Sequence, residues 1–209
     1  MKLLHIDSSI LGANSASREL GAAWVGNWRR QHPQGAVKHL DLVRDPLAHL
    51  TGEIFSARAT PEAERAGALA QDVAADQSAI NDFLATDVIV IGAPMYNFSI
   101  PSQLKAWIDR IVVAGKTFRY GANGPEGLAK GKKAVAIISR GGIYSAGPAA
   151  ALDFQESYLR GVLGFIGITD VTFVRAEKIG YGPEARTAAI EGAKAQISEV
   201  VGAELAKAA

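Results

Sequence analysis

Three clusters of residues have the types and spacing to hold a flat, phosphorylated ligand. The first is Met95-Tyr96-Asn97-Phe98, inside the stretch Gly92-Ala93-Pro94-Met95-Tyr96-Asn97-Phe98-Ser99-Ile100-Pro101. It follows a run that reads as a buried strand, Asp87-Val88-Ile89-Val90-Ile91, and precedes a helix expected over 102–113. A turn at the carboxyl end of a buried strand is where open α/β sheets bind their ligands. Two prolines stiffen this one, and its aromatics and asparagine suit a flat ring with polar edges, a flavin being the obvious instance. Tyr96 and Phe98 also fit edge-of-core packing, but strand-to-helix connections usually run to only ~2–6 residues.

The second cluster, Ser8-Ser9-Ile10-Leu11-Gly12-Ala13-Asn14-Ser15-Ala16-Ser17-Arg18, places four serines and an asparagine just before a helix. One hydroxyl is enough to cap a helix. Four, beside free backbone amides at a helix amino end, suit a phosphate without needing a lysine. The third is Ser139-Arg140-Gly141-Gly142-Ile143-Tyr144-Ser145, whose paired glycines let backbone amides come close to a ligand or simply make a turn.

The elements that must position these clusters follow from hydrophobic periodicity. Strands are expected at 3–6, 37–42, 88–91, 134–139 and 171–174, and helices at 17–31, 60–85, 102–113, 154–167 and from 182 onward. Leu104, Trp107, Ile108 and Ile111 make a buried stripe at i, i+3, i+4, i+7. Ile190, Ile197, Val201 and Leu205 mark another in the last helix. Thr60-Pro61-Glu62 reads as a helix start, residues 47–60 as loop with short helical turns, and the glycine-rich stretch 114–132 as irregular. Strands alternating with helices imply an α/β fold, a parallel sheet covered on both faces, in one domain over residues 1–209. Two doubly wound layouts compete. A dinucleotide fold calls for GxGxxG after the first strand, which is absent; the flavodoxin-like order 2-1-3-4-5 does not call for it. All three clusters then fall on one sheet edge.

Composition removes other chemistries. With no cysteine the chain has neither thiolate nor dithiol, so any redox reaction needs a cofactor. A net charge of +1 gives no pull toward nucleic acid or an anionic membrane. No apolar run approaches the ~20 residues that span a bilayer, and Met1-Lys2-Leu3-Leu4-His5 does not read as a secretory signal, so a cytoplasmic protein is expected. His5, His32, His39 and His49 lie outside the clusters and lack HExxH-type spacing, which favours structural roles and no metal. No GxSxG elbow is present. Gly127-Leu128-Ala129-Lys130-Gly131-Lys132-Lys133 is one residue short of a P-loop, has no Ser or Thr after its lysine, and precedes a strand.

The run Met95-Tyr96-Asn97-Phe98, with Ser15-Ala16-Ser17 before it and Ser139-Arg140-Gly141-Gly142 after it, resembles the bacterial FMN-dependent NADH azoreductases, relatives of the quinone reductases. The likeness extends from Lys2 through the last helix. It implies a flavodoxin-like three-layer sandwich, and one FMN per subunit whose phosphate is held by Ser9, Ser15, Ala16 and Ser17. Pro94, Met95, Tyr96, Asn97 and Phe98 would line the ring, and Ser139, Arg140, Gly141 and Gly142 its pyrimidine end. It implies a homodimer in which Phe118 and Tyr120 lie over the partner's flavin. It implies a two-step reaction in which NADH or NADPH delivers a hydride and leaves, and a quinone or azo dye then takes the electrons. Asn97 and Phe98 would stand at the reacting edge, with Phe118, Tyr120 and Tyr144 shaping the choice of acceptor. Many members carry a histidine where this chain has Tyr144. An electron carrier serving a protein partner and a non-catalytic flavin-binding module are the competing readings; carriers are usually acidic, and this chain is not.

Overall fold

The computed structural model describes residues 1–208, with the side chains of 1–201. The chain order is β1 (Lys2–Asp7), α1 (Ala16–Gln31), β2 (Ala36–Asp41), α2 (Gly52–Ala57), α3 (Gly67–Leu84), β3 (Val88–Pro94), α4 (Ser102–Ile111), β4 (Phe118–Gly121), β5 (Gly124–Gly127), β6 (Lys133–Ser139), α5 (Phe154–Phe165), β7 (Asp170–Ala176) and α6 (Pro183–Ala208). Five strands form a parallel sheet in the order β2-β1-β3-β6-β7. With the separate β4–β5 hairpin set aside, this is the expected 2-1-3-4-5.

The central strands carry apolar residues on both faces, so successive side chains feed two cores. Leu4, Ile6, Ile89, Ile91, Ala136 and Ile138 pack with Phe83 of α3, Trp107 and Ile111 of α4, and Leu159 and Leu163 of α5. Leu3, Val88, Val90, Val135 and Ile137 face the other way, against Leu20, Trp24 and Trp28 of α1 and Ile190, Ile197 and Val201 of α6. Three layers result. The side chain of Leu205, expected in the last stripe, lies outside the described residues.

Three boundaries differ from expectation. Strand β3 runs on through Gly92 and Ala93 to Pro94, so the connection to α4 is 95–101 rather than a turn from Gly92. Beyond Gly92 the β1 side of β3 is open, because β1 ends at Asp7, and a proline lacking its N–H is tolerated where no neighbour needs that donor. Helix α3 begins at Gly67 rather than at Thr60. The guanidinium of Arg65 bonds the Thr60 carbonyl from Nε (2.9 Å) and Nη2 (2.6 Å), folding 60–65 back on itself around a short 3-10 turn. The stretch 114–132 contains the antiparallel β4–β5 hairpin, whose four-residue strands are too short to show an alternation. Gly127 lies so close to the backbone of Ile166 and Gly167 that a Cβ would collide with it, which binds the hairpin to the end of α5.

Candidate functional site

The carboxyl ends of β1, β3 and β6 bring the three clusters together. Ser8 and Ser9 follow Asp7 and are fully buried. Ser8 Oγ donates to the Gly92 carbonyl (2.7 Å), tying this loop to β3. Ser9 Oγ lies 3.4 Å from the Tyr96 hydroxyl, which also accepts from Ile10 N (3.2 Å). Ser15 caps α1: its Oγ accepts from Arg18 N (3.3 Å) and sits 3.1 Å from Ser17 Oγ. Ala16 and Ser17 open the helix, and among the described residues their N–H groups meet no acceptor. Free N–H groups at the positive end of a sixteen-residue helix, beside the Ser15 and Ser17 hydroxyls, form an anion cradle. Arg18 does not reach into it. Its guanidinium bonds the Ser9 carbonyl (2.9 and 3.1 Å) and both oxygens of Asp41 (2.7 Å each), supporting the loop from below and holding the Asp41 carboxyl far below the usual range.

The second loop is pinned by Met95 N to the Ser139 carbonyl (2.8 Å). Tyr96 and Ser99 then exchange backbone bonds (2.9 and 3.1 Å) around a two-residue turn. Asn97 (φ 48°) and Phe98 (φ 70°) both lie in the left-handed region that such a mirror-image turn requires. For a phenylalanine this conformation costs on the order of 1–2 kcal/mol. The turn points the N–H groups of Asn97 and Phe98 away from any acceptor among the described residues, whereas those of Met95 and Tyr96 are taken up internally. Phe154 N, at the start of α5, bonds the Phe98 carbonyl (3.1 Å). An open groove of about 710 Å³ runs beside the turn, lined by Ile10, Met95, Tyr96, Asn97, Lys105 and Tyr158 among others.

In the third loop the side chain of Arg140 is a brace. Its guanidinium is buried and bonds Gln155 Oε1 (3.0 Å), Glu177 Oε1 (3.1 Å) and Asp153 Oδ2 (2.5 Å), while its N–H goes to the Ala176 carbonyl (2.9 Å). Asp153 also caps α5 through Oδ1, and Gln155 passes a bond on to the Ala93 carbonyl (2.9 Å). Glu177 gathers Tyr144 N (2.7 Å), Ser145 N (2.9 Å) and the Ser145 hydroxyl. Burial pushes the Glu177 carboxyl up, but these donors and Arg140 outweigh it and hold it below the usual range. With the backbone fixed in this way, the N–H groups of Gly141 and Gly142 meet no acceptor among the described residues. Ser139 is buried, and Tyr144 stands edge-on to Phe98 with ring centroids 6.2 Å apart.

The structure therefore brings Ser9, Ser15, Ala16, Ser17, Pro94, Met95, Tyr96, Asn97, Phe98, Ser139, Gly141, Gly142 and Tyr144 to one edge. It does not bring Phe118 and Tyr120 there. They stack edge-on to each other (5.5 Å) in the hairpin, beside Phe165 and at the amino edge of the sheet, where Ala129 N bonds the Ile166 carbonyl (2.8 Å). Tyr120 is 75% exposed. Sequence reasoning placed Ser8 and Arg18 in the first loop without their supporting roles, and missed Asp153, Gln155 and Glu177. These supports act from distant elements, and only the Asp before the α5 stripe carried a local signal, that of a helix cap. The inward-facing groups are hydroxyls and N–H donors, and the acids beneath them are matched by arginines. This set suits a phosphate monoester joined to a flat ring with acceptor edges.

Comparison with known proteins agrees with that chemistry. The family model described as flavodoxin-like fold matches residues 1–201. An FMN-dependent NADH:quinone oxidoreductase of Ralstonia nicotianae is 53% identical over 202 residues, covering 96% of this chain and 97% of the relative. One of the same description from Sinorhizobium fredii is 56% identical over 199 residues, covering 95% and 96%. The crystal structure of an azoreductase from Bacillus anthracis superposes with a TM-score of 0.87 at 29% identity, covering 96% of this chain and 98% of that one. With its five-stranded parallel sheet and its three loops at one edge, the chain belongs to the flavodoxin-like fold family.

Proposed function

We propose that the chain is an FMN-dependent NADH:quinone oxidoreductase that also cleaves aromatic azo compounds to amines. The carrying observation is the donor set at one sheet edge: hydroxyls and free N–H groups at the start of α1, and the outward N–H groups of Asn97 and Phe98 in the loop after the neighbouring strand. The relatives' activity supports the same reading.

The residues fit the cofactor. Ser9, Ser15 and Ser17 with the N–H groups of Ala16 and Ser17 would take its phosphate, and the dipole of α1 supplies the positive field. Met95, Tyr96 and Phe98 would wall the ring, with Pro94 fixing where that wall leaves the sheet. The N–H groups of Asn97, Phe98, Gly141 and Gly142 would meet the ring's acceptor atoms. When bound, FMN supplies two-electron transfer from NADH to the acceptor. The chain's own part is orientation: the left-handed turn at Asn97 and Phe98 fixes where their N–H groups point. Donor and acceptor would use one open face in turn. A quinone needs one such round, and an azo bond, taking four electrons, needs two.

Phe118 and Tyr120 enter this reading through a second copy of the chain. Their place at the far edge, with Tyr120 exposed, suits a homodimer in which each hairpin covers the partner's groove and shapes acceptor choice together with Tyr144. The test is anaerobic. Protein loaded with FMN should bleach on adding NADH alone and regain its colour on adding a quinone, with ping-pong kinetics. A protein that takes up no FMN, or that bleaches but passes electrons only to a carrier protein, overturns the reading.

A further inference from the structure

Behind the first loop, on the α1 side of the sheet, we propose a binding site for a divalent transition-metal ion such as Zn²⁺, formed by His5, Asp7 and His39. Parallel pairing of β1 with β2 sets His5 directly beside His39 and Asp7 two positions further on, so the three side chains share one face. Their ligand atoms all lie within 4.8 Å of one another. The imidazole rings stack with centroids 4.8 Å apart and planes 24° from parallel.

Two buried polar atoms here have no hydrogen-bond partner among the described residues. His5 Nε2 and Asp7 Oδ1 make no hydrogen bond, although His5 is 7% and Asp7 4% exposed. They face each other at 3.6 Å, too far for a hydrogen bond. Leaving such groups unsatisfied costs about 1–3 kcal/mol each. An ion between them satisfies both. Two bonds of ~2.1 Å closing over that span subtend about 118° at the ion, close to the tetrahedral value preferred by zinc. His39 Nε2, 2.9 Å from Asp7 Oδ2, is placed to be the third ligand; its ring then carries its proton on Nδ1, which a half-exposed ring can give to water.

The surroundings leave room for the ion. Gly21 of α1 passes over the His5 ring, and a Cβ there would come within 2.6 Å of Nε2. A groove of about 840 Å³ opens on His5, Asp7 and His39, so a fourth position can be taken by water. Arg18 stands 3.6 Å from Asp7, but on Oδ2, and its other bonds go to Asp41 and Ser9, leaving Oδ1 free. Two imidazoles and a carboxylate are a set used for zinc with an open position.

The experiment uses the FMN-loaded protein after chelator treatment. Equilibrium dialysis against Zn²⁺ is expected to give one ion per chain, and Co²⁺ in its place the d–d absorption of a four-coordinate ion. His39→Asn, at a half-exposed position on the edge strand, should weaken binding by more than the ~10–100-fold that loss of an outer-shell partner costs. Asp7→Asn should weaken it at least as much. A variant with both His32→Asn and His49→Asn should keep one ion per chain. The proposal is overturned if the wild type takes up no stoichiometric Zn²⁺, if His39→Asn binds it as the wild type does, or if the His32/His49 variant loses it. None of these readouts depends on turnover, so they stand apart from the proposed reductase activity.

Discussion

Replacing Ser17 with alanine separates a phosphate contact from general stability. Ser17 is fully buried, and the protein partner of its hydroxyl is Ser15 Oγ at 3.1 Å. Ser17→Ala therefore removes one neutral hydrogen bond from the fold, about 1 kcal/mol, with almost no change of shape. Toward a phosphate dianion the same hydroxyl makes a charge-assisted bond worth about 1.5–3 kcal/mol. The expected loss of FMN affinity is thus roughly 10–150-fold. Titrating apoprotein with FMN, followed by flavin fluorescence, reads that loss directly. Riboflavin, which lacks the phosphate, is the internal control, and its affinity should be nearly unchanged. An FMN affinity within about twofold of wild type refutes the reasoning, as does an equal loss for FMN and riboflavin.

Three further outcomes follow from the same geometry. Arg140→Met leaves Asp153 and Glu177 without the cation between them and should destabilise the protein by about 3–5 kcal/mol; a change below about 1 kcal/mol in urea unfolding would contradict the brace. The carboxyl of Glu177 is held below its ordinary value in the folded state, so its contribution is present above the unfolded pKa, about 4.3, and is lost as pH falls through the folded one. The stability difference between wild type and Glu177→Gln should accordingly be constant near neutrality, begin to shrink as pH falls below the unfolded pKa of about 4.3, and go on shrinking as pH falls through the folded one, as measured by unfolding across pH. Mixing a Ser9/Ser15/Ser17→Ala chain with a Phe118/Tyr120→Ala chain, each impaired alone, should raise quinone reduction above that of either chain by itself through a mixed dimer holding one intact site; no recovery in a mixture shown to contain that dimer would count against sharing.

Much of the scaffold was legible in the sequence because its signals are local. Val88, Ile89, Val90 and Ile91 form an unbroken apolar run, as a strand covered on both faces must, and Leu104, Trp107, Ile108 and Ile111 repeat at the helical period. The hairpin was not legible, because Phe118-Arg119-Tyr120-Gly121 is too short to alternate and is held by its partner strand and by the fit of Gly127 against Gly167. Nor was the start of α3, where the Arg65 contact with Thr60 overrides a good local start signal.

The sequence by itself determined the sheet, the three loops at its carboxyl edge and the donor-rich character of two of them, since each rests on residues adjacent in the chain. Tertiary structure decided which donors are free. Met95 and Tyr96 spend their N–H groups on Ser139 and Ser99, Asn97 and Phe98 do not, and Arg140 turns inward to three partners far along the chain. It also decided that His5 and His39, separated by a whole helix in sequence, stand side by side over Asp7. The physical reason is that a parallel pairing joins strands only across a crossover, so the chemistry it assembles leaves no spacing to read.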